Sequence, residues 1–301
     1  MKLRQLRDKL ETAQGRADVR WAISRVANRA LYRCGFALLS DHFYQPLPTR
    51  RALLEHHLDP SFVAAVDEQA RFVASLLEAN RNDLSVDLDT FGYGGSVQLP
   101  RVDAEVLYAM VRYAQPQRVV EVGSGSSTAV IAAALHRNAN DHGRSSTFTS
   151  IDPYALPHVG GPLHSDVVLD HRAEPLQTVD PSLWRDLRAG DIFFVDSSHV
   201  FKAGSDVEFE FLQIYPSLRS GVFLHLHDIF LPGDYPLDWN LRESRFWNEQ
   251  YVLSAVLENS SRYRVIAALA AIHLCRPMAL EQLIPEFSGD YSPGSIWLTV
   301  Q

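Results

Sequence analysis

A strand that runs into a glycine corner constrains this chain more than any other feature. Arg118-Val-Val-Glu-Val-Gly-Ser-Gly-Ser-Ser-Thr-Ala-Val130 begins as a mostly β-branched apolar run, turns at two glycines and enters an alanine-rich segment through Leu135. A short apolar run, a glycine corner and then good helix formers read as a buried strand feeding a helix. Gly123 and Gly125 lack Cβ, so the backbone can turn sharply there and a ligand can come close to it. Ser126, Ser127 or Thr128 can cap the helix, whose first N–H groups then point at whatever binds. Glu121, a carboxylate at the end of an apolar strand, needs a cationic or hydrogen-bonding partner once buried, and it is expected to face a ligand.

Downstream the pattern repeats. Strands are expected over residues 146–151, 167–169, 192–195 and 222–226, with a helix over 207–218; a helix over 246–257 and strands over 263–268 and 295–300 close the chain. Such alternation implies an α/β fold with a parallel sheet and right-handed crossovers, whose ligands bind beyond the carboxyl ends of the strands. Those ends carry Glu121 and Gly123, then Asp152, then Asp196, then His227-Asp228. An acid such as Asp152, at the end of the second strand, can accept the ribose hydroxyls of a nucleoside.

Upstream of the corner the chain changes character. Residues 1–33 hold nine Lys/Arg against three Asp/Glu, so the net charge of -8 conceals a body of -14. Ile23, Val26, Ala27, Ala30, Leu31 and Cys34 recur at helical spacing, with Arg25, Arg29 and Arg33 on another face. This amphipathic helix is expected to pack on the main domain or on a second copy in a homo-oligomer, with weak peripheral contact to anionic lipid as the alternative. Residues 42–48 read as extended, and Asp59-Pro60 opens a helix with Phe62, Val66, Ala70, Val73 and Leu77 on one stripe. Residues 80–89 read as a polar break and the aromatic, glycine-rich run 91–95 as a loop able to close over a ligand. From Pro100 a helix carrying Val106, Leu107, Met110 and Val111 leads to Gln115-Pro116 and the opening strand. The expected division is residues 1–90 as a helical region, for cover or dimerisation, and 91–301 as the catalytic domain.

Several classes are disfavoured. An acidic body does not suit nucleic acid, because phosphate contacts need excess cations. No apolar run approaches the roughly 20 residues of a spanning helix, and no signal-peptide core is seen at the start. Cys34 and Cys275 are expected as reduced packing residues, and the location as cytoplasmic.

Taken in order, the strand-end residues resemble those of class I S-adenosylmethionine-dependent methyltransferases. Glu121-Val-Gly-Ser-Gly-Ser-Ser is similar to their first motif and Asp152 to their ribose-binding acid. Gly190-Asp-Ile-Phe-Phe-Val-Asp-Ser-Ser-His199, followed by Leu226-His-Asp-Ile-Phe-Leu-Pro232, resembles a bacterial branch that includes metal-dependent sugar O-methyltransferases. Trp247-Asn-Glu-Gln-Tyr251 is similar to a run in relatives within that branch, and the whole resemblance covers roughly residues 90–300.

The resemblance implies a Rossmann-like, doubly wound, mostly parallel seven-stranded sheet with its last strand antiparallel. It implies S-adenosylmethionine at Gly123, Ser124, Gly125 and Ser127, with Glu121 beside its amino-acid end, Asp152 on the ribose, and Arg172 and Ala173 at the adenine. Catalysis would fall to Asp196 and His199, with His199 as base. A divalent metal would sit at Asp196, His227 and Asp228. The branch has a glutamate where this chain has His227, so an all-oxygen magnesium site is not reproduced and manganese, zinc or iron compete. His225 points to the same side of its strand as His227 and is expected to be a hydrogen-bonded core residue. The acceptor implied is a hydroxyl on a small molecule or glycan, with Asp234, Tyr235, Trp239 and Trp247 placed to face it and Lys202 solvated. Three other readings remain: an NAD(P)-dependent oxidoreductase, a non-haem metal oxygenase using Asp196, His227 and Asp228, and a silent nucleoside-binding protein. The first of these lacks the third glycine of dinucleotide binders.

Overall fold

Residues 12–39, 46–56, 65–90, 93, 99–154, 167–282, 284 and 292–301 are described by a computed structural model of the chain. They fall into two compact units: the smaller takes its residues from 1–56 and 236–246, the larger from 57–235 and 247–301. Contacts thus divide the chain between His56 and His57.

The smaller unit is built on α1 (Ala13–Leu31) and α2 (Arg50–Glu55), with a short helix at Leu237–Leu241. Thr12 caps α1 by accepting the Gly15 N–H at 2.9 Å. Asn28 ties the chain that follows by holding the backbone of Leu38 from both sides, at 3.0 and 2.7 Å. Ile23, Val26 and Leu31 on α1 are exposed.

In the larger unit, α3 (Val66–Thr90) and α4 (Arg101–Ala114) precede β1 (Arg118–Val122), α5 (Ser126–His142), β2 (Thr147–Ile151) and β3 (Val168–Arg172). Then come β4 (Ile192–Val195), a short helical turn α6 (Asp206–Phe209), β5 (Phe223–Leu226), α7 (Glu249–Asn259), β6 (Tyr263–Ala268), α8 (Leu269–Cys275) and β7 (Ile296–Val300). The strands form one seven-stranded sheet in the order β3-β2-β1-β4-β5-β7-β6. All pairs are parallel except those of β7, which runs antiparallel to both β5 and β6. The expected fold class is the observed one.

Alternation along the central strands separates two apolar layers. Val119, Ile192, Phe194 and Trp297 pack with α3, α4 and α5, while Val120, Val122, Phe193, Val195, Leu224 and Leu226 pack on the other face with α7. Register aligns the strand exits: Val122 lies opposite both Ile151 and Val195, and Val195 opposite Leu226. The next residues stay in the ladder, with Gly123 N–H bonded to Ile151 O, Asp196 N–H to Val122 O and His227 N–H to Val195 O, each at 2.9 Å. Gly123, Asp196 and His227 are thereby fixed on one rim, and Asp152 joins them through its own N–H bond to Arg172 O.

Three local expectations need correction. The polar stretch 80–89 does not break the helix, because α3 runs through it to Thr90. Its Asp87 is buried and accepts from Tyr108 Oη at 2.5 Å and from Arg137 at 2.8 and 2.5 Å, so long-range partners satisfy what looked like solvent-facing polarity. The helix expected over 207–218 is instead α6, a π-helical turn over Glu210–Ile214 and a 3-10 turn over Tyr215–Ser217, where Pro216 cannot donate to a regular ladder. Cys34 and Cys275 are exposed rather than packed. The expected segment 42–45, the helix start at Asp59-Pro60 and most of the loop 91–95 lie outside the described residues; Tyr93 is buried, its hydroxyl donating to Leu99 O at 2.6 Å.

Candidate active site

The glycine corner is shaped by close packing. Gly123 has φ +87°, and a Cβ there would lie 2.3 Å from the backbone oxygen of Asp196, so only glycine lets the two strand exits touch. At Gly125 a Cβ would meet nothing within 4 Å, which leaves open space on that side of the corner. Thr128 Oγ1 accepts the Gly125 N–H at 3.1 Å and donates to Glu121 Oε2 at 2.7 Å. Ser127 Oγ donates to the other Glu121 oxygen at 2.7 Å. Glu121 is fully buried, and burial pushes its carboxyl up to about 7 against the pull of the Ser127, Thr128 and Ser150 hydroxyls.

Asp152 closes the corner from β2. Ser124 Oγ donates to its Oδ2 at 2.7 Å, and the Tyr154 N–H to its Oδ1 at 2.7 Å. On the adjoining strand the Arg172 carbonyl accepts the Asp152 N–H at 3.0 Å, while the Arg172 guanidinium is exposed and pairs with Asp170 at 2.7 Å. Glu121, Gly123, Ser124, Gly125, Ser127 and Asp152 therefore meet at one corner. Arg172 reaches it through its backbone, and Ala173 follows at the end of β3.

Beside the corner stands a pocket of acids and imidazoles. His199 Nε2 lies 3.3 Å from Asp196 Oδ1 and 3.6 Å from Asp228 Oδ2. His227 Nδ1 lies 3.8 Å from Asp196 Oδ1 and 3.6 Å from Asp228 Oδ1. Burial opposes charging of His227, but the Asp196 and Asp228 carboxylates win and push it up to about 9. Burial likewise opposes ionisation of Asp196, yet the imidazoles of His227 and His199 hold it down at about 2. His199 and Asp228 both sit in the left-handed backbone region, at φ +59° and +57°.

Asp196, His227 and Asp228 each offer a ligand atom, all within 4.8 Å of one another. Among the described residues the buried His227 ring has no hydrogen-bond partner at either nitrogen, a costly state unless something else coordinates it. The donor set fits a divalent ion, and its mixed imidazole and carboxylate chemistry suits manganese, iron or zinc better than magnesium. His225 is a core residue by a different means than expected: it stacks on Phe194 at 4.2 Å and 7°, and its Nδ1 has no hydrogen-bond partner among the described residues. Burial holds it well below the ordinary histidine value, and the neighbouring His227 adds to that.

One residue escaped sequence reasoning. Glu249, at the start of α7 and 1% exposed, takes His199 Nδ1 at 2.9 Å through its Oε2. Behind it the buried Glu210, on the π-helical turn, receives the Ser197 hydroxyl at 3.3 Å and the Tyr215 hydroxyl at 3.4 Å. Burial, then the charges of Glu249 and Asp206, raise Glu210 well above the usual carboxylate range. The only sequence signal for Glu249 is a carboxylate set among aromatics at a helix start, fifty residues after its partner. Of the four residues expected near an acceptor, Trp247 is half-buried with its ring 4.2 Å from that of His199, and Asp234 receives Tyr251 Oη at 2.5 Å. Tyr235 is buried, its hydroxyl oxygen accepting the Gln250 N–H at 3.2 Å, and Trp239 belongs to the smaller unit under Arg245. Lys202 is exposed, as expected.

Residues 120–229 match the family model of a methyltransferase domain. The matched stretch is similar to that domain. It holds the whole glycine corner, Asp152 and the Asp196, His199, His227, Asp228 pocket, and it ends before Glu249. Among solved structures, an SAH-bound methyltransferase of Podospora anserina is 17% identical, with a TM-score of 0.39 over 85% of this chain and 99% of its own. An O-methyltransferase from Bacillus cereus in complex with SAH is 14% identical, with a TM-score of 0.40 over 75% and 91%. A third, from Thermobifida fusca and described as a putative methyltransferase, is 15% identical with a TM-score of 0.41 over 79% and 97%. No curated protein matches the chain.

Proposed function

We propose that the protein transfers a methyl group from S-adenosylmethionine to a hydroxyl of a small-molecule or glycan acceptor, with His199 as base and a divalent ion at Asp196, His227 and Asp228. The observation that carries this reading is the contact of Gly123 with Asp196, which puts the glycine corner and a cluster of proton-accepting groups side by side on one rim. The corner suits the donor. Asp152 offers carboxylate oxygens to ribose hydroxyls, Gly125 leaves space for the amino-acid end, and the start of α5 supplies N–H groups. Carboxylates around the rim favour a ligand bearing ammonium and sulfonium charge over a pyrophosphate.

When bound, the donor supplies an already activated methyl, and the metal would acidify an acceptor hydroxyl and offset the carboxylate charge around His199. The chain's own work is then alignment and one proton. His199 Nε2 faces the acid pocket and takes the hydroxyl proton as the oxygen gains its bond to carbon, while the sulfur keeps the electron pair of the bond it loses. Trp247, against the His199 ring, offers a flat apolar wall to an acceptor. The nicotinamide and oxygenase readings have no comparable support, since the corner has no third glycine and the matched domain is a methyltransferase.

Calorimetric titration with S-adenosylmethionine, S-adenosylhomocysteine and NAD, before and after chelator treatment, tests the reading. Both sulfur nucleosides are expected to bind and NAD is not. Binding of neither would refute it.

A further inference from the structure

We propose that Glu249 is the positioning residue of His199, and that the run Trp247–Tyr251 clamps the loops that carry the reactive rim. The inference rests on the reading of His199 as base and extends it to a segment beyond the matched domain.

An imidazole has two nitrogens, and the hydrogen bond at one decides what the other can do. Glu249 Oε2 sits 2.9 Å from Nδ1, while Nε2 faces Asp196 and Asp228 at 3.3 and 3.6 Å. A carboxylate accepts only, so it fixes the Nδ1 proton and the orientation of the ring, leaving Nε2 as the nitrogen that meets the pocket. Glu249 gains little else from its place. Its other oxygen is buried without a hydrogen-bond partner among the described residues, and burying a carboxylate with a single partner is a poor device for stability.

The neighbours of Glu249 act on the same loop. His199 is held at φ +59°, a conformation that persists only where its surroundings over-determine it. Its carbonyl accepts the N–H groups of Asn248 and Glu249 at 3.0 and 3.3 Å, so the start of α7 is bonded to the residue it positions. Asn248 spans the Phe201 backbone, Oδ1 accepting its N–H at 2.6 Å and Nδ2 donating to its carbonyl at 3.3 Å. Trp247 packs against the His199 ring. The last two residues reach the loop after β5: Gln250 Oε1 accepts the Phe230 N–H at 3.0 Å, and Tyr251 donates to Asp234. One five-residue run thus fixes the loop bearing His199 and the loop that continues from Asp228.

The test compares wild type, Glu249→Ala, Glu249→Gln, His199→Ala and the double variant Glu249→Gln/His199→Ala. Imidazole nitrogen spectra of protein labelled at its 12 histidines, with the His199 signal found by its loss in His199→Ala, need no acceptor. The wild type is expected to show His199 protonated and hydrogen-bonded at Nδ1, with that signature lost in Glu249→Ala and retained in weakened form in Glu249→Gln. S-adenosylhomocysteine affinity should stay within about twofold. Turnover of methyl-labelled S-adenosylmethionine with the small-molecule fraction of a bacterial extract is expected to fall on the order of 10²-fold or more in kcat for Glu249→Ala, KM for the donor being unchanged. The double variant should be no slower than His199→Ala. An unaltered His199 signature in Glu249→Ala, or losses that multiply in the double variant, would overturn the proposal. A fully active His199→Ala would instead defeat the base reading, leaving the spectra to report on the ring. Should Glu249→Ala fail to fold, Glu249→Gln carries both measurements.

Discussion

Gly123→Ala isolates the contact on which the rim is built. The added Cβ would lie 2.3 Å from Asp196 O, whereas ordinary contacts begin at 3.4 Å, so one strand exit must retreat by about an ångström. Two costs combine. Holding a residue with Cβ at φ +87° costs about 1–2 kcal/mol, and forcing an atom into a packed site costs about 1–3 kcal/mol more. The expected loss is roughly 2–5 kcal/mol, read as a lower urea midpoint at unchanged slope. The retreat would also stretch the Asp196 N–H bond to Val122 O and move a carboxylate of the acid pocket. Gly125→Ala is the internal control, since its φ of 172° is extended backbone and its Cβ meets nothing. That variant should keep its stability to within about 0.5 kcal/mol while losing affinity for S-adenosylmethionine, because the proposed donor site takes in that open space. Equal stability losses in the two variants, or a Gly123→Ala protein as stable as wild type, would refute this account of the corner.

Other outcomes follow from the same geometry. Asp152→Ala should weaken S-adenosylhomocysteine binding by about 1.5–3 kcal/mol through lost charge-assisted hydrogen bonds; unchanged calorimetric affinity would remove Asp152 from the nucleoside site. His227→Ala should lower the affinity of chelator-treated protein for added manganese on the order of 10–100-fold or more, with donor binding intact, and equal manganese binding would place the ion elsewhere. Glu121 gives a pH dependence whose sign is fixed. Its folded pKa of about 7 stands above the ordinary 4.5, so the protonated form favours folding: the contribution is fully present below about pH 4.5 and is lost as pH rises through 7. Glu121→Gln removes that loss, so its stability relative to wild type should rise by about 3 kcal/mol between pH 4.5 and pH 8. A difference that stays flat across the range would contradict the burial-driven shift.

Much of the fold could be read from residue order because its signals are local. The runs at Val119–Val122 and Ile192–Val195 are too apolar and too β-branched to lie anywhere but between two layers, and glycine or acid follows each. What escaped was set by partners far along the chain. Asp87 looked like part of a polar break because Arg137, which neutralises it, lies fifty residues on. Glu249 is equally distant from His199. His225 was rightly placed in the core, but stacking on Phe194 is a property of the folded sheet that a polar side chain does not announce. The rim could be assembled in advance for a simple reason: parallel strands in register bring their ends together, so residues that follow strands meet without a contact having to be guessed.

His199 and Asp228 occupy backbone that glycine would adopt freely. Each stores about 1–2 kcal/mol that a substitution to glycine would release. At His199 that release is outweighed by a Glu249 carboxylate left buried without its partner, so a laboratory selection for heat resistance alone would be drawn to Asp228 rather than to His199. Only a screen that demands turnover alongside survival would keep the carboxylate that the proposed site needs.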